Sequence, residues 1–209
     1  MAQTLTDLAH RILAQPFTGA RRLVALAGPP AAGKSTLAEA LAAQLNGDRD
    51  TTRVVPMDGY HLDNGLLRDK GLFARKGAPE TFDVRGFRRL VADLREPGEV
   101  IYPLFDRKRD IAIAGAGLIP QTCETVLIEG NYLLFDEAPW ADLGALWDLS
   151  VYIDPGEGAI KERLLDRWLS QGLDITDAVA RSERNDLPNA RRIAAARLPA
   201  DIDLTGELQ

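Results

Sequence analysis

Residues 28–35 read Gly-Pro-Pro-Ala-Ala-Gly-Lys-Ser, a complete G-x-x-x-x-G-K-[ST] run. Each fixed position of that run has a physical task. Gly28 and Gly33 let the backbone curl so that its N–H groups point inward as an anion seat. Lys34 is long enough to reach the outer phosphates of a nucleotide, and the Ser35 hydroxyl is a ligand for Mg²⁺. The flanks fit. Arg22 to Ala27 is a short apolar run that predicts a buried strand. From Ser35 onward, Leu37, Leu41 and Leu45 recur at helical spacing, and the positive end of that helix adds to the seat. Strand, loop and helix follow in the order the motif requires.

Outward from this loop, apolar runs and helical patterns alternate. Residues 4–15 predict an amphipathic helix with Leu5, Leu8, Ile12 and Leu13 on one side, capped by Thr4 or Thr6. Residues 53–57 predict a strand ending at Asp58-Gly59. The polar segment 59–85 is too long for an ordinary connection, and such loops are often functional. A helix is expected over 86–95, broken by Pro97 and Gly98. Residues 100–119 read as a hairpin-like excursion around Asp106 to Asp110. Thr125 to Glu129 and Leu149 to Asp154 are buried-strand signals. Residues 156–171 predict a helix with Ile160, Leu164, Leu165 and Trp168 inward and Gly172 at its end. Residues 174–196 are helical and arginine-rich, interrupted near Pro188, and a last strand is expected over 201–204. The alternation implies an α/β fold, with a mostly parallel sheet of five strands and helices on both faces. Ligands on such sheets bind beyond the carboxyl ends of the strands.

The chain has 209 residues, which suits a single domain over 1–209 with a small lid. With 45% apolar and 27% charged residues it reads as soluble and globular. The net charge of −6 gives no support for nucleic acid or an anionic membrane as partner. No apolar run approaches the ~18 residues of a membrane span. The N-terminus has neither the basic start nor the apolar stretch of a signal peptide. Cys123 is the only cysteine, so no internal disulfide forms, which fits a cytoplasmic location. Oligomeric state is open, with a homodimer the commonest arrangement for such chains.

Asp58, Glu129 and Asp154 fall at or just past predicted strand ends, where they converge with Lys34. Phosphoryl transfer needs a nucleotide cradle, a metal, an oriented acceptor and exclusion of water. The cradle is expected on Gly28, Ala31, Ala32, Gly33, Lys34, Ser35 and Thr36. Glu129 either helps Ser35 hold Mg²⁺ or bonds a loop. Asp58 either takes the proton of an acceptor hydroxyl or forms a turn with Gly59. His61 either touches the acceptor or stabilises the loop. Arg163 and Arg167, four apart on one helix face, either close over the transferring group or pair in solvent with Glu162 and Asp166. Arg181 and Arg184 are secondary candidates.

Four stretches carry a family resemblance: Met57-Asp-Gly-Tyr-His-Leu-Asp63, Gly77-Ala-Pro-Glu-Thr-Phe-Asp83, Tyr102-Pro-Leu-Phe-Asp-Arg107 and Ile128-Glu-Gly-Asn-Tyr132. Together they resemble the uridine kinase, pantothenate kinase and phosphoribulokinase group of P-loop kinases, and within it bacterial proteins labelled fructose transport system kinases or fructokinases. The resemblance implies a three-layer α/β/α P-loop nucleoside triphosphate hydrolase fold with a small helical lid, ATP with Mg²⁺, and a small hydroxyl acceptor, a sugar or a nucleoside. It implies an acceptor region over 59–110 and a lid over about 160–186. It puts Asp58 at the activated hydroxyl and His61, Glu80, Phe82, Asp106 and Arg107 around the acceptor, with Arg163 and Arg167 on the lid. Asn185, Asp186 and Asn189 then approach the base, as does Arg197. Phe105-Asp-Arg-Lys-Arg109 stands where uridine kinases carry Asp-Phe-x-x-His.

The expected function is therefore transfer of the γ-phosphoryl group of ATP to a small hydroxyl compound, a sugar such as fructose first. A uridine-type or pantothenate-type kinase is the nearer alternative. A nucleotide-gated switch needs only the phosphate loop and is the alternative of another class. No Asn-Lys-x-Asp guanine motif is present.

Overall fold

The structure is a computed structural model that describes residues 4–206. In chain order it contains helix α1 (Leu5–Ala14), strand β1 (Arg22–Ala27), α2 (Lys34–Asn46), β2 (Thr52–Pro56), α3 (Asn64–Asp69), α4 (Val84–Asp93), β3 (Val100–Asp106), β4 (Ile111–Ile119), β5 (Thr125–Gly130), β6 (Leu149–Asp154), α5 (Glu157–Ser170), α6 (Ile175–Arg181), α7 (Leu187–Ala195) and β7 (Ile202–Thr205).

Five strands form one parallel sheet in the order β2-β5-β1-β6-β7. The alternation of side chains along β1 makes the layers. Val24 and Leu26 face one side, where Leu8 and Ile12 of α1 and Leu37 and Leu41 of α2 cover them. Leu23, Ala25 and Ala27 face the other, against Phe87 and Leu90 of α4 and Ile193 of α7. Burial on both faces explains why β1, β5 and β6 read as continuous apolar runs rather than alternating ones. Among the described residues no helix is long and apolar enough to cross a membrane.

The excursion over 100–119 is an antiparallel hairpin, β3 with β4, standing outside the main sheet. Tyr102 Oη donates to the Val54 carbonyl (3.2 Å) and fastens the hairpin to β2. A second fastening lies at Gly59, where a Cβ would stand 2.1 Å from the Pro103 carbonyl oxygen. Only glycine permits that approach, so the residue after Asp58 fixes where the hairpin lies.

Several elements differ from the sequence expectation, each for a local reason. The segment 59–85 is not an open loop. It holds a 3₁₀ turn at Met57–Tyr60, helix α3 capped by Asp63, and two further 3₁₀ turns. Helix α4 starts at Val84, earlier than expected, because the Asp83 side chain accepts from the Gly86 N–H. Leu13 is 51% exposed, since the short α1 buries only its Leu8 and Ile12 side of that stripe. In α5 only Ile160 and Leu164 are buried, and Leu165 and Trp168 are half-buried. The helix is not broken at Pro188. A π turn, Ser182–Asp186, joins α6 to α7, and the proline sits in the first turn of α7, where its missing N–H costs nothing.

Candidate active site

The phosphate loop leaves β1 at its carboxyl end and enters α2. Gly33 caps α2 at φ +95°, a conformation that L side chains rarely adopt, and no side chain caps the helix. The first N–H groups of α2 are thus left for a ligand, which fits an anion. In front of them lies a cavity of about 860 Å³. Ala31 to Leu37 form its floor, Arg107, Arg163, Arg167 and Gln171 one wall, and Leu5, Ala40, Ile153, Pro155 and Gly206 another.

Lys34 is buried at 7% exposure. Its Nζ donates to the Pro29 carbonyl (2.8 Å) and to Asn131 Oδ1 (2.7 Å). Burial pulls its pKa down to about 8, and the nearby carboxylates of Glu129 and Asp58 oppose that shift. Glu129, 6% exposed, lies inside β5 rather than past its end. Burial pushes its pKa up, while Lys34 and a hydrogen bond with the Ser35 side chain pull it down. Among the described residues no group of three or more His, Cys, Asp and Glu is arranged to hold a metal.

Asp58, its side chain 22% exposed, follows β2 in the 3₁₀ turn. Arg107 Nη2, from the tip of the hairpin, donates to its Oδ2 at 2.7 Å. His61 Nδ1 stands 2.8 Å from the Asp58 carbonyl oxygen. The His61 ring lies between Phe82 (4.1 Å between centroids) and Phe105 (4.7 Å). Burial lowers the pKa of His61, against the opposing pull of Asp58, and so favours the neutral imidazole.

On the far side of the cavity, Arg163 Nη1 donates to the Ala32 carbonyl (3.3 Å). Arg167 is largely buried, which lowers its pKa, and Arg107, Asp186, Asp58 and Glu129 are its charged neighbours. Ile160 and Leu164 of α5 pack on Leu187 and Ala190 of α7, with Ala31 of the phosphate loop against them. Both arginines thus face the phosphate loop rather than open solvent.

Other expected site residues lie elsewhere. Asp154 accepts from the Gly156 N–H (2.9 Å) and shapes the turn into α5. Asp106 accepts from the backbone and side chain of Arg109 at the hairpin turn. Glu80 is exposed and pairs with Arg75 (2.9 Å) and Arg192 (3.3 Å). Arg181 lies over the Trp168 ring, and Arg184 is exposed. Asn189 and Arg197, expected near the base, have partners within the fold. Asn189 is 4% exposed inside α7, its amide donating to Asn185 Oδ1 (3.4 Å). Arg197 lies over the Tyr152 ring (4.4 Å) and pairs with Asp203. Tyr152 belongs to the core on the face opposite α2.

Two contributions escaped the sequence reading. Asn131 holds Lys34, and its signal lay in the Ile128-Glu-Gly-Asn-Tyr132 stretch. Leu5 of α1 and Gly206 after β7 wall the cavity, and nothing in their local sequence marks them.

No family model matches the chain. It is 32% identical over 195 residues to a Schizosaccharomyces pombe protein named as a candidate uridine kinase, covering 88% of this chain and 83% of that one. This chain belongs to the uridine kinase, pantothenate kinase and phosphoribulokinase-like P-loop kinases. It is 36% identical over 177 residues to the uncharacterised Escherichia coli K12 protein YggC, covering 83% of this chain and 73% of that one. A crystal structure from Silicibacter sp. TM1040, described as a candidate fructose transport system kinase, matches with TM-score 0.92 and 53% identity over 96% of this chain and 98% of that one. Membership makes this P-loop kinase a phosphotransferase acting on an alcohol group.

Proposed function

We propose that this kinase moves the γ-phosphoryl group of ATP, with Mg²⁺, onto a hydroxyl of a small sugar, fructose being the first choice. The observation that carries the reading is that the Asp58 carboxylate is a charged neighbour of both buried groups at the phosphate loop, Lys34 and Glu129. A nucleotide switch needs no carboxylate there, whereas a transferase needs one to orient or deprotonate its acceptor. Lys34 would bind the β- and γ-phosphates, exchanging Asn131 for phosphate oxygen. Ser35 and Glu129 would hold Mg²⁺, which when bound neutralises phosphate charge. Arg107, now on Asp58, lies where it serves either the carboxylate or the incoming phosphate. Arg163 and Arg167 would stabilise charge on the transferring group. The region 59–110 would be the acceptor side, with His61 and Phe82 beside it, and 160–186 the lid. The lone buried cysteine suits a reducing cytoplasm.

The sugar reading is supported by the 53% identical structure described as a candidate fructose transport system kinase. A nucleoside acceptor is favoured by the uridine kinase name of the fission yeast relative. A coupled ADP-release assay with Mg-ATP separates them, run against fructose, other hexoses, ribose, uridine, cytidine, pantothenate and ribulose 5-phosphate, with Lys34→Ala as the blank. Fructose as the strong responder supports the proposal. A pyrimidine nucleoside as the sole responder replaces the acceptor. Nucleotide hydrolysis indifferent to every compound removes the acceptor-side assignment.

A further inference from the structure

The π turn Ser182–Asp186 lies at neither the nucleotide cavity nor the acceptor loop, yet it is bonded to elements that reach both. Such turns are uncommon and concentrate at functional sites. Toward the phosphate side, Trp168 of α5 donates from Nε1 to Asp186 Oδ2 (2.8 Å). That ties the turn to the helix that carries Arg163 and Arg167. Toward the acceptor side, Asn185, 7% exposed, donates from Nδ2 to the Lys76 carbonyl (2.8 Å) across 109 residues of chain. The next residue, Gly77, gives its carbonyl to Tyr132 Oη (2.6 Å).

From Lys76 the contacts continue toward Asp58. The Gly77 N–H is held by Thr81 Oγ1 (3.0 Å). The Thr81 carbonyl accepts from the Leu62 N–H (2.9 Å), and the Tyr60 carbonyl accepts from the Asp83 N–H (2.8 Å). Phe82 bridges to His61 in backbone and stacks on its ring. Thus residues 81–83, at the end of the stretch that begins at Lys76, are the antiparallel neighbour of 60–62, which nearly follows Asp58. At its Lys76 end this stretch is held by the Asn185 amide from the helical side, by Tyr132 Oη on Gly77, and by Lys76 Nζ on Asn64 and Asp110.

We propose that Asn185 is a positioning residue that couples the arginine-bearing helices to the acceptor loop, so that seating of α5 on the phosphate loop also sets Asp58 and His61. The inference rests on the acceptor-side reading of 59–110. Coupling of this kind travels through contiguous packed and hydrogen-bonded elements. The role differs from the base contact expected of this stretch, because the Asn185 amide donates to the Lys76 carbonyl.

The test uses the full chain with Asn185→Ala, and Asn185→Asp as the variant of unchanged size that loses the donor. Three quantities are read: Mg-ATP affinity by calorimetry, hydrogen exchange of peptides covering 76–83 and 28–36, and KM for the acceptor found on the panel. The coupling predicts faster exchange over 76–83 with 28–36 unmoved, and unchanged Mg-ATP affinity. It also predicts a rise of about tenfold in acceptor KM, as expected when a buried hydrogen bond is broken. Weaker Mg-ATP binding with 76–83 still protected overturns it in favour of a nucleotide-side role. Unchanged exchange over 76–83 overturns it outright. The exchange arm needs no acceptor, so it decides the coupling even where the wild type turns over nothing on the panel. That silence would count against the proposed function alone.

Discussion

The two sides of the cleft are built in opposite ways. The phosphate side is local: residues 28–36 make the seat, the lysine and the helix end within one strand–loop–helix unit. The acceptor side is assembled across distance. Asp58 meets Arg107 from a hairpin 49 residues on, and Lys76 is held by Asn185 109 residues on. A short motif can encode the first because backbone geometry alone orients the groups. The second exists only once the sheet has been built. A single change should therefore strike the phosphate side as loss of binding or chemistry, and the acceptor side as loss of positioning.

The largest effect is expected from Lys34→Ala. Turnover should fall about 10³-fold, as when one preorganised charge or donor is removed from a transfer site. ADP release by a variant whose circular dichroism matches wild type checks it, and near-normal turnover would break the assignment of the phosphate side. Asp58→Asn should lower kcat about 10²- to 10³-fold with Mg-ATP affinity kept. Equal loss of nucleotide binding would move Asp58 to the metal or the fold and blur the contrast between the two sides.

A pH effect comes next. Burial lowers the Lys34 pKa to about 8, so in the free enzyme its ammonium is complete below that value and is lost as pH rises through it. Bound phosphate favours the charged form, so binding takes up a proton above pH 8. Mg-ATP affinity should therefore fall as pH climbs from 7 to 9.5, and Lys34→Arg should flatten that fall. Calorimetry in buffers of different ionisation enthalpy reads the proton directly.

The smallest effect is expected at Arg197. Its pair with Asp203 is partly exposed and its guanidinium lies over Tyr152. Arg197→Ala should cost about 1 kcal/mol or less in denaturant unfolding and leave nucleotide affinity within about twofold. A large loss of affinity would return Arg197 to the nucleotide.

By itself the sequence determined the phosphate loop, the five strands and the α/β class. Each of these follows from a local rule: glycine at set spacing, apolar runs of strand length, or leucines at helical period. Met57-Asp-Gly-Tyr-His-Leu-Asp63 also marked the loop of Asp58 and His61, because the family pattern is contiguous there. Tertiary structure alone decided which polar groups meet. Glu80, Asp106 and Asp58 each pair with an arginine, but it is Asp58 whose charge bears on Lys34 and Glu129. Leu5 and Gly206 reach the cavity because α1 covers α2 and β7 closes the sheet edge. Arg197 lies over Tyr152, which belongs to the core on the face opposite α2. Spacing along a chain orients neighbours on one element, whereas contacts between elements depend on strand order and side-chain alternation, which no short motif records.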